Sequence, residues 1–150
     1  MKGETIPDQH HIARYCKPMT IEDGQIQASA FMLRKDEESL SVNWLEFFNC
    51  PNRESEVVEL RNVYASKFDR VGSSAKIAIL NVGEVCEKVL IESPDGRNLE
   101  VRHDPQTIKG VDDPSHGGIY NLKQDDDLIV IAELILETVQ ETYPARKSVV

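Results

Sequence analysis

Ala75-Lys76-Ile77-Ala78-Ile79-Leu80-Asn81-Val82, followed by Val85 to Glu92, the turn Ser93-Pro94-Asp95-Gly96-Arg97 and the stretch Leu99 to His103, decides the fold class of this chain. The first segment is β-branched and apolar, the composition of a strand inside a sheet. Asp95-Gly96 between two alternating segments is a strong hairpin signal, because these residue types tolerate the positive φ that a two-residue turn requires. The spacing predicts an antiparallel hairpin around residues 85–103 beside a central strand over 75–82.

Upstream, Leu40-Ser41-Val42-Asn43-Trp44 alternates apolar and polar as a half-buried strand does. Ala28 to Arg34 also suits a strand, joined to the next by a turn at Lys35 to Glu38. A helix capped by Ser41 and carrying Trp44, Leu45 and Phe48 is the alternative for that region. Val57, Leu60, Tyr64 and Phe68 recur near helical spacing, so residues 52–68 read as a one-sided surface helix, with Pro51 and Glu54 suiting its start. His10 to Lys17, bracketed by turn signals, reads as a short strand or a single helical turn lying over the main body.

Downstream, a polar stretch from Asp104 to Gly118 leads to a long helix over 127–143, opened by Asp125-Asp126-Asp127 and stopped by Pro144, with a loose tail to Val150. Glu133, Glu137 and Glu141 form its polar stripe, and its wide apolar face needs more than one neighbour. Strands and helices mixed without regular βαβ alternation give an α+β class with an antiparallel-rich sheet.

A length of 150 residues suits a single domain that buries about two thirds of its unfolded surface. At 40% hydrophobic and 29% charged residues the composition is globular rather than disordered. No apolar run approaches the roughly 20 residues of a membrane span, and the first residues lack the apolar core of a signal peptide. Three cysteines without a Cys-x-x-Cys pair suggest reduced thiols and a cytoplasmic location. A net charge of −9 disfavours a broad nucleic-acid surface, so a nucleic acid would need a local basic patch such as Arg14 with Lys17, or Arg97 with Arg102.

The four histidines all fall outside segments that read as buried, and imidazole is the side chain best suited to proton transfer near neutral pH. Asp112-Asp113-Pro114-Ser115-His116-Gly117-Gly118 reads as a turn. Exposed N–H groups at Ser115, Gly117 and Gly118 would cradle an anion there, with His116 beside it and Asp113 orienting the ring. His10, His11, Arg14, Tyr15 and Cys16 form a second cluster, in which the arginine fork suits phosphate or carboxylate. If the two clusters meet, with His103 as a third member, the residue types fit a pocket for a small anionic molecule or nucleotide. They also fit a metal-independent phosphoester hydrolase or RNase. His116 and His11 would then transfer protons, Arg14 would stabilise charge, and Tyr15 and His103 would position.

Two weaker chemistries use the same residues: Cys16 as a nucleophile with His103 or His116 as its base, and zinc held by His11, Cys16, His103 and His116. No metal-ligand spacing supports the second, and no cofactor is expected. Trp44, Phe47 and Phe48 read as core or interface, and Gly72-Ser73-Ser74 is not a phosphate loop of known spacing. The alternative from a different class is an accessory, inhibitor or antitoxin-like protein. It would bind a protein partner, or a second copy of itself, through the C-terminal helix and acidic surfaces.

Overall fold

The computed structural model describes residues 3–146. Six strands form one sheet: β1 (His11–Cys16), β4 (Leu40–Trp44), β5 (Lys76–Asn81), β6 (Glu100–His103), β9 (His116–Tyr120) and β10 (Glu141–Pro144). Their order is β10-β5-β1-β4-β9-β6, and every pairing is antiparallel. Two small ribbons, β2 (Ile21–Glu22) with β3 (Gln25–Ile26) and β7 (Gln106–Ile108) with β8 (Val111–Asp113), stand beside it. Three helices complete an α+β fold: α1 (Arg53–Lys67), α2 (Val82–Glu92) and α3 (Leu128–Glu137).

Strand side chains alternate between faces, and here both faces are covered. Ile12, Cys16, Val42, Ala78, Leu80, Val101 and Ile119 form one core with α2, α3 and a 3-10 turn at Ala28–Phe31. Ala13, Ile77 and Ile79 form the other with Val57, Leu60 and Tyr64 of α1. Each fully buried branched side chain contributes about 1.5–3 kcal/mol, so the two cores together fix β1 and β5 in the middle of the molecule.

The expected elements at 40–44, 52–68 and 75–82 form as β4, α1 and β5. Asn52 starts α1, its side chain accepting the Ser55 N–H at 2.8 Å.

Four expectations need correction. There is no hairpin around 85–103, because residues 82–92 are helix α2. Val82, Val85 and Val89 share one buried face at helical spacing, and Asn81 caps the helix by accepting the Glu84 N–H at 2.9 Å. The Asp95-Gly96 turn exists, with Gly96 at φ +62°, but it joins a helix to a strand. The stretch from Ala28 to Arg34 is not a strand: Ala28–Phe31 forms a 3-10 turn that buries Ala30 and Phe31 beside α3, and the chain leaves it at Met32 without regular structure.

The C-terminal helix ends at Glu137, where Thr138 turns its hydroxyl onto the Ile135 carbonyl at 2.7 Å. Glu141–Pro144 then pairs with the outer edge of β5. The His10–Lys17 stretch forms the short strand expected there as one of two readings, but that strand, β1, does not lie over the body: it is inside the sheet, flanked by β4 and β5. The tail beyond Arg146 lies outside the described residues.

The segment before β1 covers the far edge of the sheet, with Thr5 bridged to Arg102 and the Ile6 N–H bonded to the Val101 carbonyl at 2.9 Å. The apolar face of α3 is mostly packed inward, leaving Ile129 and Val130 exposed, as Leu90 and Ile91 are on α2. No helix among the described residues is long and apolar enough to cross a membrane.

Candidate functional site

At the C-terminal end of α1, Tyr64 and Lys67 lie one turn apart on the side facing the sheet. Lys67 Nζ reaches Asp113 Oδ2 at 2.6 Å, with both side chains almost wholly buried. Asn43 Nδ2 donates to Asp113 Oδ1 at 3.0 Å and to Ser115 Oγ at 2.9 Å, and Ser115 Oγ donates to the same carboxylate oxygen at 3.2 Å. Three donors thus hold one buried carboxylate, which is how a buried charge remains tolerable. Asp113 therefore anchors α1 to β8 and β4, rather than orienting the His116 ring.

Above this anchor is a cavity of about 310 Å³, bordered by Arg14, Lys17, Arg34, Lys67, Tyr15 and Tyr64, with Ser41, Asn43 and Gln106 also on its wall. Arg14 enters it because β1 and β4 are in register only at Ile12 with Trp44 and Ala13 with Asn43, then part. Its guanidinium bridges the gap, donating to the carbonyls of Ala30 at 2.8 Å and Ser41 at 2.9 Å. Burial lowers the Arg14 pKa from its ordinary value and raises that of Tyr15. Burial raises the Tyr64 phenol as well, and Tyr64 Oη has no hydrogen-bond partner among the described residues.

The expected site residues divide. Arg14 and Tyr15 meet at the cavity, whereas His11, His103 and His116 do not border it. His11 is held by Glu46, with its backbone N–H on Oε1 and its Nδ1 on Oε2, both at 2.7 Å. His103 donates from Nε2 to the Pro114 carbonyl at 2.7 Å and packs beside Trp44 and Phe47. His10 accepts from the Trp44 indole at 3.0 Å.

His116 is not in a loop. It opens β9, is 2% exposed, and donates from Nδ1 to the Asp104 carbonyl at 2.7 Å. That bond leaves Nε2 as the bare nitrogen, buried with no partner among the described residues.

Gly117 and Gly118 are strand residues between β4 and β6, so their N–H groups belong to the ladder rather than to a ligand. Their small size has another cause: a Cβ on Gly117 would stand 2.7 Å from the Arg102 carbonyl oxygen, and one on Gly118 2.6 Å from Ser39 Oγ. Cys16 is buried and its thiol is pushed up to about 12, which keeps it protonated at neutral pH and unsuited to nucleophilic attack. Among the described residues no three His, Cys, Asp or Glu side chains gather as metal ligands.

Desolvation pulls the His116 pKa below its ordinary 6.5, and Lys67 lowers it further, outweighing the Asp104 carbonyl bond and the Asp113 and Asp104 charges that raise it. The folded state therefore resists protonation more than the unfolded chain does. The contribution to stability is complete above about pH 6.5 and is lost as pH falls through the lower folded-state value. The urea midpoint of the wild type should consequently drop more between pH 7 and pH 5 than that of His116→Asn, whose amide can replace the Nδ1 donor without titrating. Parallel pH profiles would show that His116 does not set this dependence.

The residues that the sequence pattern did not mark, Lys67, Tyr64, Phe68, Asn43 and Arg34, come from α1 and its C-terminal cap, from β4 and from the loop before β4. The only local sign was the spacing of Tyr64, Lys67 and Phe68 on one helical face. No protein-family model matches this chain, and no curated protein or solved structure matches it either.

Proposed function

We propose that this protein binds a small anionic ligand, with a phosphate-bearing molecule such as a nucleotide as the best fit, in the cavity between β1, β4 and the end of α1. The observation that carries this reading is the gathering of Arg14, Lys17, Arg34 and Lys67 around one concave space in a chain of net charge −9. Among the described residues Glu37 is the one acidic side chain on that wall. Asp113 beneath it balances Lys67, which leaves a net positive cavity. Cations lining a cleft with low-dielectric walls focus the field and concentrate an anionic ligand there. The Tyr64 hydroxyl adds a buried donor without a partner among the described residues, the kind of polar group that fixes ligand orientation.

The reading is one of binding. Proton transfer by paired imidazoles draws no support from the positions of His11, His103 and His116 around this cavity. The accessory-protein alternative rests on exposed Leu90, Ile91, Ile129 and Val130, and the cation-lined cavity favours the ligand reading over it. Three free thiols support a cytoplasmic setting.

Isothermal titration with pyrophosphate, AMP and ATP tests the proposal on the wild type and on a Lys17→Glu, Arg34→Glu double variant. Neither of these side chains takes part in the buried anchor. The expected result is binding that weakens with added salt and falls at least tenfold in the variant, about 1.4 kcal/mol. Failure of all three ligands to bind at millimolar concentration, or unchanged affinity in the variant, would overturn it.

A further inference from the structure

The inner cavity does not end at its own wall. It shares Tyr15, Lys17 and Phe68 with an outer groove of about 670 Å³ that adds Met19 and Arg70. That groove shares Phe68 and Arg70 with a third depression of about 420 Å³, which adds Arg61 and Arg146. Among the described residues, seven basic side chains border these three spaces against two acidic ones, Glu37 and Asp69, in a chain with 17 basic and 26 acidic residues. A basic path on an acidic protein is a segregation of charge, not an average of composition.

Aromatic and apolar side chains interrupt the path at its centre. Phe68 borders all three spaces and is braced by Tyr64, stacked at 17° and 5.8 Å, and by Tyr15 at 4.6 Å. Met19, 84% exposed, stands on the same groove. Arg61 is fixed at the far end by two bonds to the Pro144 carbonyl, at 3.0 and 2.9 Å. Cations that track a backbone, alternating with rings on which bases stack, are the two elements by which single-stranded nucleic acids are held without sequence readout.

Building on the anion-binding reading of the inner cavity, we infer that the phosphate-bearing ligand is a segment of single-stranded nucleic acid. One phosphate occupies the inner cavity, and the strand continues past Phe68 toward Arg70, Arg61 and Arg146. A rigid duplex is disfavoured, because the acidic remainder of the surface repels a polyanion that cannot follow the groove.

Fluorescence anisotropy with labelled ten-nucleotide oligo(U) and oligo(dT), a duplex of the same length, and UMP as a competitor tests this on the wild type and Arg70→Glu. Either single strand should bind at least tenfold more tightly than UMP and the duplex, with log affinity falling linearly with log salt. In Arg70→Glu the ratio of oligomer to UMP affinity should fall about tenfold. Equal affinity for UMP and the oligomers, duplex binding as tight as single-strand binding, or an unchanged ratio in the variant would each overturn the inference while leaving the small-anion reading intact. Absence of UMP and oligomer binding alike would remove that reading with it.

Discussion

Lys67→Ala is expected to cost about 3–5 kcal/mol of folding stability, the range for removing one partner from a buried ion pair. The reason is what remains behind. Asp113 is 1% exposed, and without Lys67 it keeps only the neutral donors Asn43 and Ser115 to hold a full charge away from water. Urea denaturation at pH 7 measures the loss, and Lys67→Ala combined with Asp113→Asn should recover most of it, since the double change removes both charges together. A single-variant cost below about 1 kcal/mol, typical of exposed pairs, would mean that the contact does not anchor α1 to β8. The same pair shapes the cavity floor, so the double variant, if folded, also shows how much affinity depends on the Lys67 charge.

Gly117→Ala should destabilise by about 1–3 kcal/mol, the usual penalty for forcing an extra methyl into packed structure. Backbone stands at 2.7 Å on the blocked side, so no side-chain rotation can relieve the contact. β9 or β6 must shift, and β9 carries ladders on both of its edges. Thermal melting of the variant provides the measurement. A cradle for ligand phosphate would give the opposite pattern, with unchanged melting and lost affinity, and that result would return Gly117 to the binding site.

What could be seen in the sequence was what local pattern encodes. α1 shows itself through the spacing of Val57, Leu60 and Tyr64 with Pro51 and Glu54 at its start, and β4 and β5 through alternation and β-branching. α2 was hidden because valine favours strands intrinsically, and only packing against α3 and the sheet makes Val82, Val85 and Val89 a helical face. The final strand was hidden for a related reason: the helical pattern runs on through Glu141, but the open edge of β5 offers that segment hydrogen bonds which a further helical turn cannot match in burial.

The site was legible only in part, for a reason of distance along the chain. Arg14 and Tyr15 stood out as a phosphate-type cluster, yet the groups that complete their surroundings lie in other elements. Lys67 and Asp113 are 46 residues apart, and Asn43 and Asp113 are 70. No local composition reports such meetings. The histidines misled because Asp, Pro, Ser and Gly around His116 describe a turn equally well when that turn leads straight into a buried strand.

The way the sheet is bordered bears on whether its edges can recruit a further strand. Lys76 to Asn81 is the kind of run that templates fibrils when its polar backbone is left open. β10 occupies that flank and finishes in a proline, which has no N–H to offer a newcomer, while the opposite flank is sealed by the chain's own leading segment. Residues 3–6 and Glu141–Pro144 thus act as hems, and loss of either would leave an edge of the fabric open to extension by a neighbouring strand.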